Sequence, residues 1–357
     1  GGTPPLPPHH YRDALEGSRI CPPRKQRAKP LPHSEEQQPK QASFMALWYL
    51  KAALQGTLSV LPFSRTTNYL FQRYVSKGLH PTQITLENKL STFKTHLENY
   101  RFALNAPDAR PERVLEIGTG WLPFVPIAFA LAGVAHIITI DKVGLTRRTL
   151  LQETLDLFLH YAEQGTLQTW LPLAENRLSL LEQARKRIDT EGIKEALEAL
   201  HIEARVQDVR ELTTLPPPDL FVSNNTYEHI PGEVLRSILK MYRRLAHERS
   251  VLSDMIDLTD HYVYFDKTIT PYNFLNYSER TWRWFNNPLQ YQNRLRISDY
   301  RQFYEENGFR ILREENKRAA ETLPTGVRLA KEFAHYAPQD LLVTESWVIA
   351  VPAAPTV

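Results

Sequence analysis

Hydrophobic and polar positions switch period repeatedly along the second two thirds of the chain. Short apolar runs at 114–117, 136–140, 202–206, 220–223, 250–256, 309–315 and 341–351 predict strands. Between them lie stretches where apolar residues recur every three or four positions, which predicts helices over 120–131, 232–246 and 298–307. Ser298-Asp299 is the expected N-cap of the last of these, and Gly308 its stop. The segment 144–200 is helical in pattern but longer than one crossover needs, so it predicts a helical insertion. Strands alternating with helices, and a final pair of strands without a full helix between them, predict an α/β fold. It is a doubly wound, Rossmann-like, seven-stranded, mostly parallel sheet with an antiparallel C-terminal edge hairpin.

One stretch tests that reading. Residues 120–140 hold no charged side chain over 21 positions, long enough to span a bilayer. Pro123 and Pro126 sit near its start, and a strand ending in a glycine pair precedes it. A buried helix followed by a buried parallel strand explains the run better, and no membrane span is expected.

Ahead of the sheet, residues 45–110 form a helical lid or appendage in pattern. Leu50, Leu54 and Leu58 fall at four-residue spacing with Trp48 just ahead of them, and Asn68, Tyr69, Phe71, Tyr74 and Val75 continue the helical pattern. Residues 1–44 carry nine of the 26 prolines among Arg, Lys, Gln and His, and are expected to be a disordered tail. No signal peptide is expected. The remainder, 111–357, is the expected ligand-binding domain.

Composition narrows the function classes. The chain has 357 residues, a net charge of +3 and 42% hydrophobic residues, so the charge is nearly balanced and no nucleic-acid partner is expected. A single cysteine, Cys21, excludes an intramolecular disulfide framework or a Cys-rich zinc site and points to a reducing, cytoplasmic setting. Its place in the proline-rich tail makes it a poor nucleophile, and no G-x-S-x-G elbow exists. Oligomeric state is not legible.

The candidate chemistry lies at the strand ends. Glu116-Ile117-Gly118-Thr119-Gly120 places glycines at a strand-to-helix turn, where a ligand can approach the backbone. Pro123 stands where a dinucleotide fingerprint wants glycine, and no P-loop is present. Asp141 follows the second strand, placed to accept hydrogen bonds from both hydroxyls of a ribose, and Asp208 follows the third, where a side chain could meet an adenine amine. After the fourth strand comes Ser223-Asn224-Asn225-Thr226-Tyr227-Glu228-His229-Ile230, in which His229 could be a general base or, with Glu228, cap the next helix. Residues 262–304 hold 13 aromatic residues in 43, among them Tyr264, Tyr272, Tyr277, Trp282, Trp284 and Tyr291. They predict an aromatic lid over about 260–297, most of its rings in ordinary packing, some placed to face a sulfonium or ammonium. Asp257, Asp260 and His261 lie just upstream but look too scattered for a metal, and none is expected.

The ordered set of 114–120, Asp141, Asp208 and 223–230 resembles the class I S-adenosylmethionine-dependent methyltransferases, over roughly 111–351. The resemblance implies S-adenosyl-L-methionine as cofactor. Glu116 and the Gly118, Thr119 and Gly120 backbone would hold the methionine end, Asp141 the ribose, and Asp208 with Val209 the adenine; Lys142 and Ser223 complete the implied cofactor set. The implied reaction is in-line methyl transfer to a small-molecule acceptor, with Asn224, Asn225, Tyr227 and His229 orienting it and taking its proton. Leu122 departs from the motif, where a third glycine is common, and Tyr227 replaces the usual Leu. The Asn-Pro-Pro-Tyr pattern of amino-group methylases is missing. Two alternatives stay open: a cofactor-cyclising enzyme similar to the azetidine-2-carboxylate synthases, which releases methylthioadenosine, and a non-catalytic scaffold on the same fold.

Overall fold

The computed structural model describes residues 48, 49, 51, 52, 56, 69, 73, 79–212, 214–287 and 291–354, all within the unit Met45–Val357. Cys21, the proline-rich tail and most of the expected appendage, including Leu50, Leu54, Leu58, Asn68, Phe71, Tyr74 and Val75, lie outside the described residues.

Seven strands make one sheet: β1 (Arg113–Ile117), β2 (His136–Asp141), β3 (Ile202–Val206), β4 (Leu220–Asn224), β5 (Val251–Asp257), β6 (Phe309–Arg318) and β7 (Val343–Pro352). Their order is β3-β2-β1-β4-β5-β7-β6. The first five run parallel, and β7 pairs antiparallel with both β5 and β6. The predicted doubly wound sheet with an antiparallel edge is what the chain forms. The order reverses between β1 and β4, so the loops leaving those strands diverge and open a crevice at their carboxyl ends.

Helices cover both faces. α1 (Gln83–Leu104), α2 (Phe124–Leu131), α3 (Arg148–Glu163), α4 (Arg177–Thr190) and α5 (Ile193–Ala199) enclose one core, with Leu86, Phe93, Ile127, Leu155 and Leu181 at its centre. α6 (Gly232–Leu245) and α7 (Ile297–Glu306) enclose the other, around Leu115, Phe221, Leu239, Leu252 and Tyr304. The uncharged stretch resolves into α2 and β2, buried almost throughout. Among the described residues, no helix is long and apolar enough to cross a membrane. The long helical segment is three helices, α3 to α5, with a short turn Leu167–Trp170 between the first two.

The expected cap of α7 needs correction. The N-cap is Arg296, not Ser298, and Asp299 sits at the third helical position, where Oδ2 accepts from the Arg296 N–H at 2.7 Å. The carboxylate reaches back to the cap, so the signal was right in kind and displaced by two residues.

The aromatic stretch builds a third core. Trp48 packs with Tyr262, Tyr272, Phe274 and Trp282, its ring 5.2 Å from Tyr262 and 4.9 Å from Phe285. Most of these rings are packing, whereas Trp284 is 83% exposed.

Candidate functional site

At the crevice the chain turns sharply after β1. Gly118 and Gly120 take positive φ, 80° and 70°. A Cβ on Gly118 would lie 2.1 Å from Thr226 Oγ1, so the loop after β4 leaves no room for a side chain there. The turn is tied to β2 twice: Gly118 N–H donates to the Ile140 carbonyl at 2.9 Å, and Gly120 N–H to Asp141 Oδ2 at 2.7 Å. Burial pushes the Asp141 carboxyl up to about 6, against the Gly120 N–H. Asp208 differs, because Arg210 grips both its oxygens at 2.8 and 2.5 Å and holds it down at about 2.

These groups open on a cavity of about 360 Å³. Gly118, Asp141, Lys142, Asp208, Thr226 and His229 supply its polar wall, and Ile140, Val209, Ile230 and Val234 its apolar one. Two larger cavities, about 460 and 540 Å³, lie along the β3 edge. The first sits at the strand beginnings, around Arg113, His136 and Glu203, away from the crevice where open α/β sheets bind ligands. The second shares Asp141 and is lined by Thr119.

Beneath the crevice runs a buried chain of hydrogen bonds. Arg313 donates to Asn99 Oδ1 (2.9 Å), Asn99 Nδ2 to Ser253 Oγ (2.9 Å), and Ser253 meets His96 Nδ1 at 2.8 Å. His96 Nε2 meets Asn224 Oδ1 at 2.7 Å, and Asn224 Nδ2 donates to Glu116 Oε1 at 3.4 Å. The Arg313 end fixes the direction. A guanidinium only donates, so Asn99 accepts through Oδ1 and donates through Nδ2, the Ser253 hydroxyl points at Nδ1, and His96 is the Nε2–H tautomer. Burial pushes the imidazole down to about 4, which keeps it neutral. Glu116 is 3% exposed, and burial pushes its carboxyl up to about 7. Its Oε2 has no hydrogen-bond partner among the described residues. Lys89 lies close enough to favour its charge.

At the rim, His229 Nδ1 lies 2.7 Å from the Tyr291 carbonyl and therefore donates to it, leaving Nε2 with the lone pair. Burial and the neighbouring His261 depress its pKa. The two rings lie 4.9 Å apart. His261 Nε2 stands 3.3 Å from Asp257 Oδ2, which also accepts from the Tyr264 hydroxyl at 2.6 Å. Burial alone would raise the Asp257 carboxyl, but His261, Tyr264 and the Thr259 N–H together hold it below its usual range.

Of the residues singled out from sequence, Gly118, Asp141, Lys142, Asp208, Val209 and His229 line one cavity. Glu116 and Asn224 lie in the floor network, and Gly120 contributes its backbone. Thr119 faces the neighbouring cavity, and Ser223 is buried with no hydrogen bond to its hydroxyl among the described residues. Asn225 is exposed at φ 50°, its N–H bound to the Met255 carbonyl. Tyr227 is 1% exposed and packed in the α6–α7 core, its ring near Asp254, Tyr242 and Tyr304, so it does not reach the cavity. Of the aromatic segment, Tyr291 lines the cavity. The sequence reading missed Lys89, His96 and Asn99. They were detectable as polar residues interrupting the apolar stripe Leu86, Leu90, Phe93, Leu97 and Tyr100 of α1.

No known protein-family model matches the chain, and no curated protein matches it. Solved structures do. A magnesium protoporphyrin IX methyltransferase from Synechocystis with bound SAH is 13% identical, with 85% of this chain and 99% of that one covered at a TM-score of 0.41. A 1,6-didemethyltoxoflavin-N1-methyltransferase from Burkholderia thailandensis is also 13% identical, over 90% and 99% of the two chains, at 0.41. An S-adenosylmethionine-dependent methyltransferase from Clostridium acetobutylicum is 10% identical, over 81% and 99%, at 0.40.

Proposed function

We propose that the protein is an S-adenosylmethionine-dependent methyltransferase acting on a small molecule. One observation carries the reading: the glycine turn, Asp141 and Asp208 converge on a single cavity at the switch point of the sheet, above a buried Glu116 with an unpartnered oxygen. The residues fit the cofactor. Gly118 and Gly120 keep side chains out of the turn, Asp141 offers a carboxylate at the end of β2, and Val209, Ile230 and Val234 give an apolar face for an adenine. Glu116, aided by Asn224, would hold the methionine ammonium. When bound, the cofactor supplies a methyl group on a sulfonium that is already activated for displacement.

The chain then has to hold an acceptor in line, exclude water and accept a proton. His229 is placed for the last task. It is neutral, its Nδ1–H is fixed on the Tyr291 carbonyl, and the Nε2 lone pair is left to orient an acceptor O–H or N–H. Tyr291 flanks the same wall. Lys142 lines the rim and Asp208 keeps its charge through Arg210. A nearly balanced net charge suits a small acceptor rather than a nucleic acid.

The test is to incubate the purified protein with S-adenosylmethionine alone and follow it by calorimetry and mass spectrometry. Binding with the cofactor left intact is the expected result and directs the search to acceptors. Prompt release of methylthioadenosine with a four-membered cyclic amino acid assigns the cyclising reaction instead. Absence of binding overturns the cofactor assignment.

A further inference from the structure

We propose that Glu228, His229 and His261 form a binding site for a first-row divalent cation, best fitted by Zn2+. The sequence reading expected no metal, because Asp257, Asp260 and His261 looked scattered. The fold changes the membership. Asp260 is turned away, accepting from Tyr262 N–H and Asn273 Nδ2, while the loop after β4 brings Glu228 and His229 against His261 from the loop after β5. One ligand atom from each of the three lies within 4.8 Å of the other two. Bonds of about 2.0–2.1 Å to a tetrahedral ion set donor atoms roughly 3.4 Å apart, so closure needs side-chain shifts of about 1 Å.

A second observation points to a ligand. Glu228 is 1% exposed, yet neither carboxylate oxygen has a hydrogen-bond partner among the described residues. Its own N–H, that of Asp257 and the Lys89 ammonium lie near it, but none closes a bond. An orphaned buried carboxyl is costly unless something cationic joins it. The imidazoles are already arranged as ligands. The Tyr291 carbonyl holds His229 Nδ1–H, which directs Nε2 outward, and Asp257, itself fixed by Tyr264 and the Thr259 N–H, stands beside His261. Backbone carbonyls and carboxylates in this position orient metal-binding histidines generally. Two imidazoles and one carboxylate select zinc and its first-row neighbours over magnesium or calcium, which prefer oxygen shells.

Three protein ligands leave a coordination position open. Because His229 also lines the cavity, that position faces the place of the acceptor, where a cation would make a hydroxyl easier to deprotonate. His229 would then act through the ion rather than as a base. This role rests on the methyl-transfer reading; the ion site itself does not.

The test uses chelator-stripped full-length protein titrated with Co2+, read by visible absorption and calorimetry, then with Zn2+ as competitor. One ion per chain with the intense bands of low-coordinate cobalt, displaced by zinc, is expected. Glu228→Gln and His261→Ala should each weaken binding by more than roughly 100-fold, beyond the 10–100-fold that outer partners carry. Both should still bind S-adenosylhomocysteine, and Asp141→Asn should do the reverse. If Glu228→Gln fails to fold, His261→Ala, at the less buried ligand, carries the comparison. No cobalt or zinc binding, or binding indifferent to both variants, overturns the site. Ion binding without any S-adenosylhomocysteine binding keeps the site and removes the methyl-transfer reading.

Discussion

Gly118 and Gly120 look equivalent in the sequence and differ in the fold. Both sit in the left-handed region, which costs a side chain about 1–2 kcal/mol. Only Gly118 also meets the Thr226 side chain, while Gly120 faces open space. Gly118→Ala should therefore cost about 2–4 kcal/mol and Gly120→Ala about 1–2, read as shifts of urea midpoint. Equal midpoints would refute the close approach. Glu116 and His96 titrate with opposite sign in one window. Glu116 ionises near 4.5 when unfolded and near 7 when folded, so its contribution to stability is full below pH 4.5 and lost by pH 7. His96, held near 4, makes the protein less stable as pH falls from 6.5 to 4, because the unfolded chain takes the proton first. Glu116→Gln removes one of the two. Relative to the unaltered protein it should gain about 3 kcal/mol between pH 4.5 and 7. A constant difference would mean that Glu116 is not buried as described. At this scale the glycines, Glu116, Asp141 and Asp208 were legible, because strand ends advertise them. Tyr227 was misplaced, because position after a strand does not say which way a side chain turns.

The element that matters most to the floor of the site is α1. It begins with a reciprocal cap, Thr82 Oγ1 accepting from the Thr85 N–H at 3.2 Å and Thr85 Oγ1 from the Thr82 N–H at 2.7 Å. It lays Leu86, Leu90 and Phe93 onto the sheet with no exposure. That packing holds His96 and Asn99 against β4 and β5. Thr82→Ala should cost about 1 kcal/mol and leave cofactor affinity alone. Phe93→Ala should cost about 3–5 kcal/mol, and its residual cavity should loosen the His96 contact and lower affinity as well. Isothermal titration beside thermal melts separates the two outcomes, and equal affinities would detach α1 from the site. The helical pattern expected over 45–110 takes in α1. Its polar residues His96 and Asn99 meet their partners, Ser253 and Asn224, only in the fold. The cap of α7 was missed for a related reason: Ser and Asp mark the first turn, and only the backbone tells cap from third position.

Across the whole molecule, the alternation of strands and helices made the sheet legible, and the strand order placed the crevice. What one dimension could not give was the meeting of separate loops, because α6 and β5 separate Glu228 from His261 along the chain. A ligand that binds only the folded state stabilises it: S-adenosylhomocysteine at a hundred times its dissociation constant should add about 2.7 kcal/mol. For a domain of this size that raises the melting temperature by roughly 5 °C, an increase Asp141→Ala should abolish. The hydrogen-bonded chain from Arg313 to Glu116 crosses from the antiparallel edge to the centre of the sheet with every donor facing the same way. Its members are thus locked into one grammar. Exchange a donor for an acceptor at any of Arg313, Asn99, Ser253, His96 or Asn224, and each group beyond it must reverse until Glu116 faces an acceptor. Among relatives of this protein, these positions should therefore change together or stay as they are, an inheritance by sets that aligned sequences would reveal.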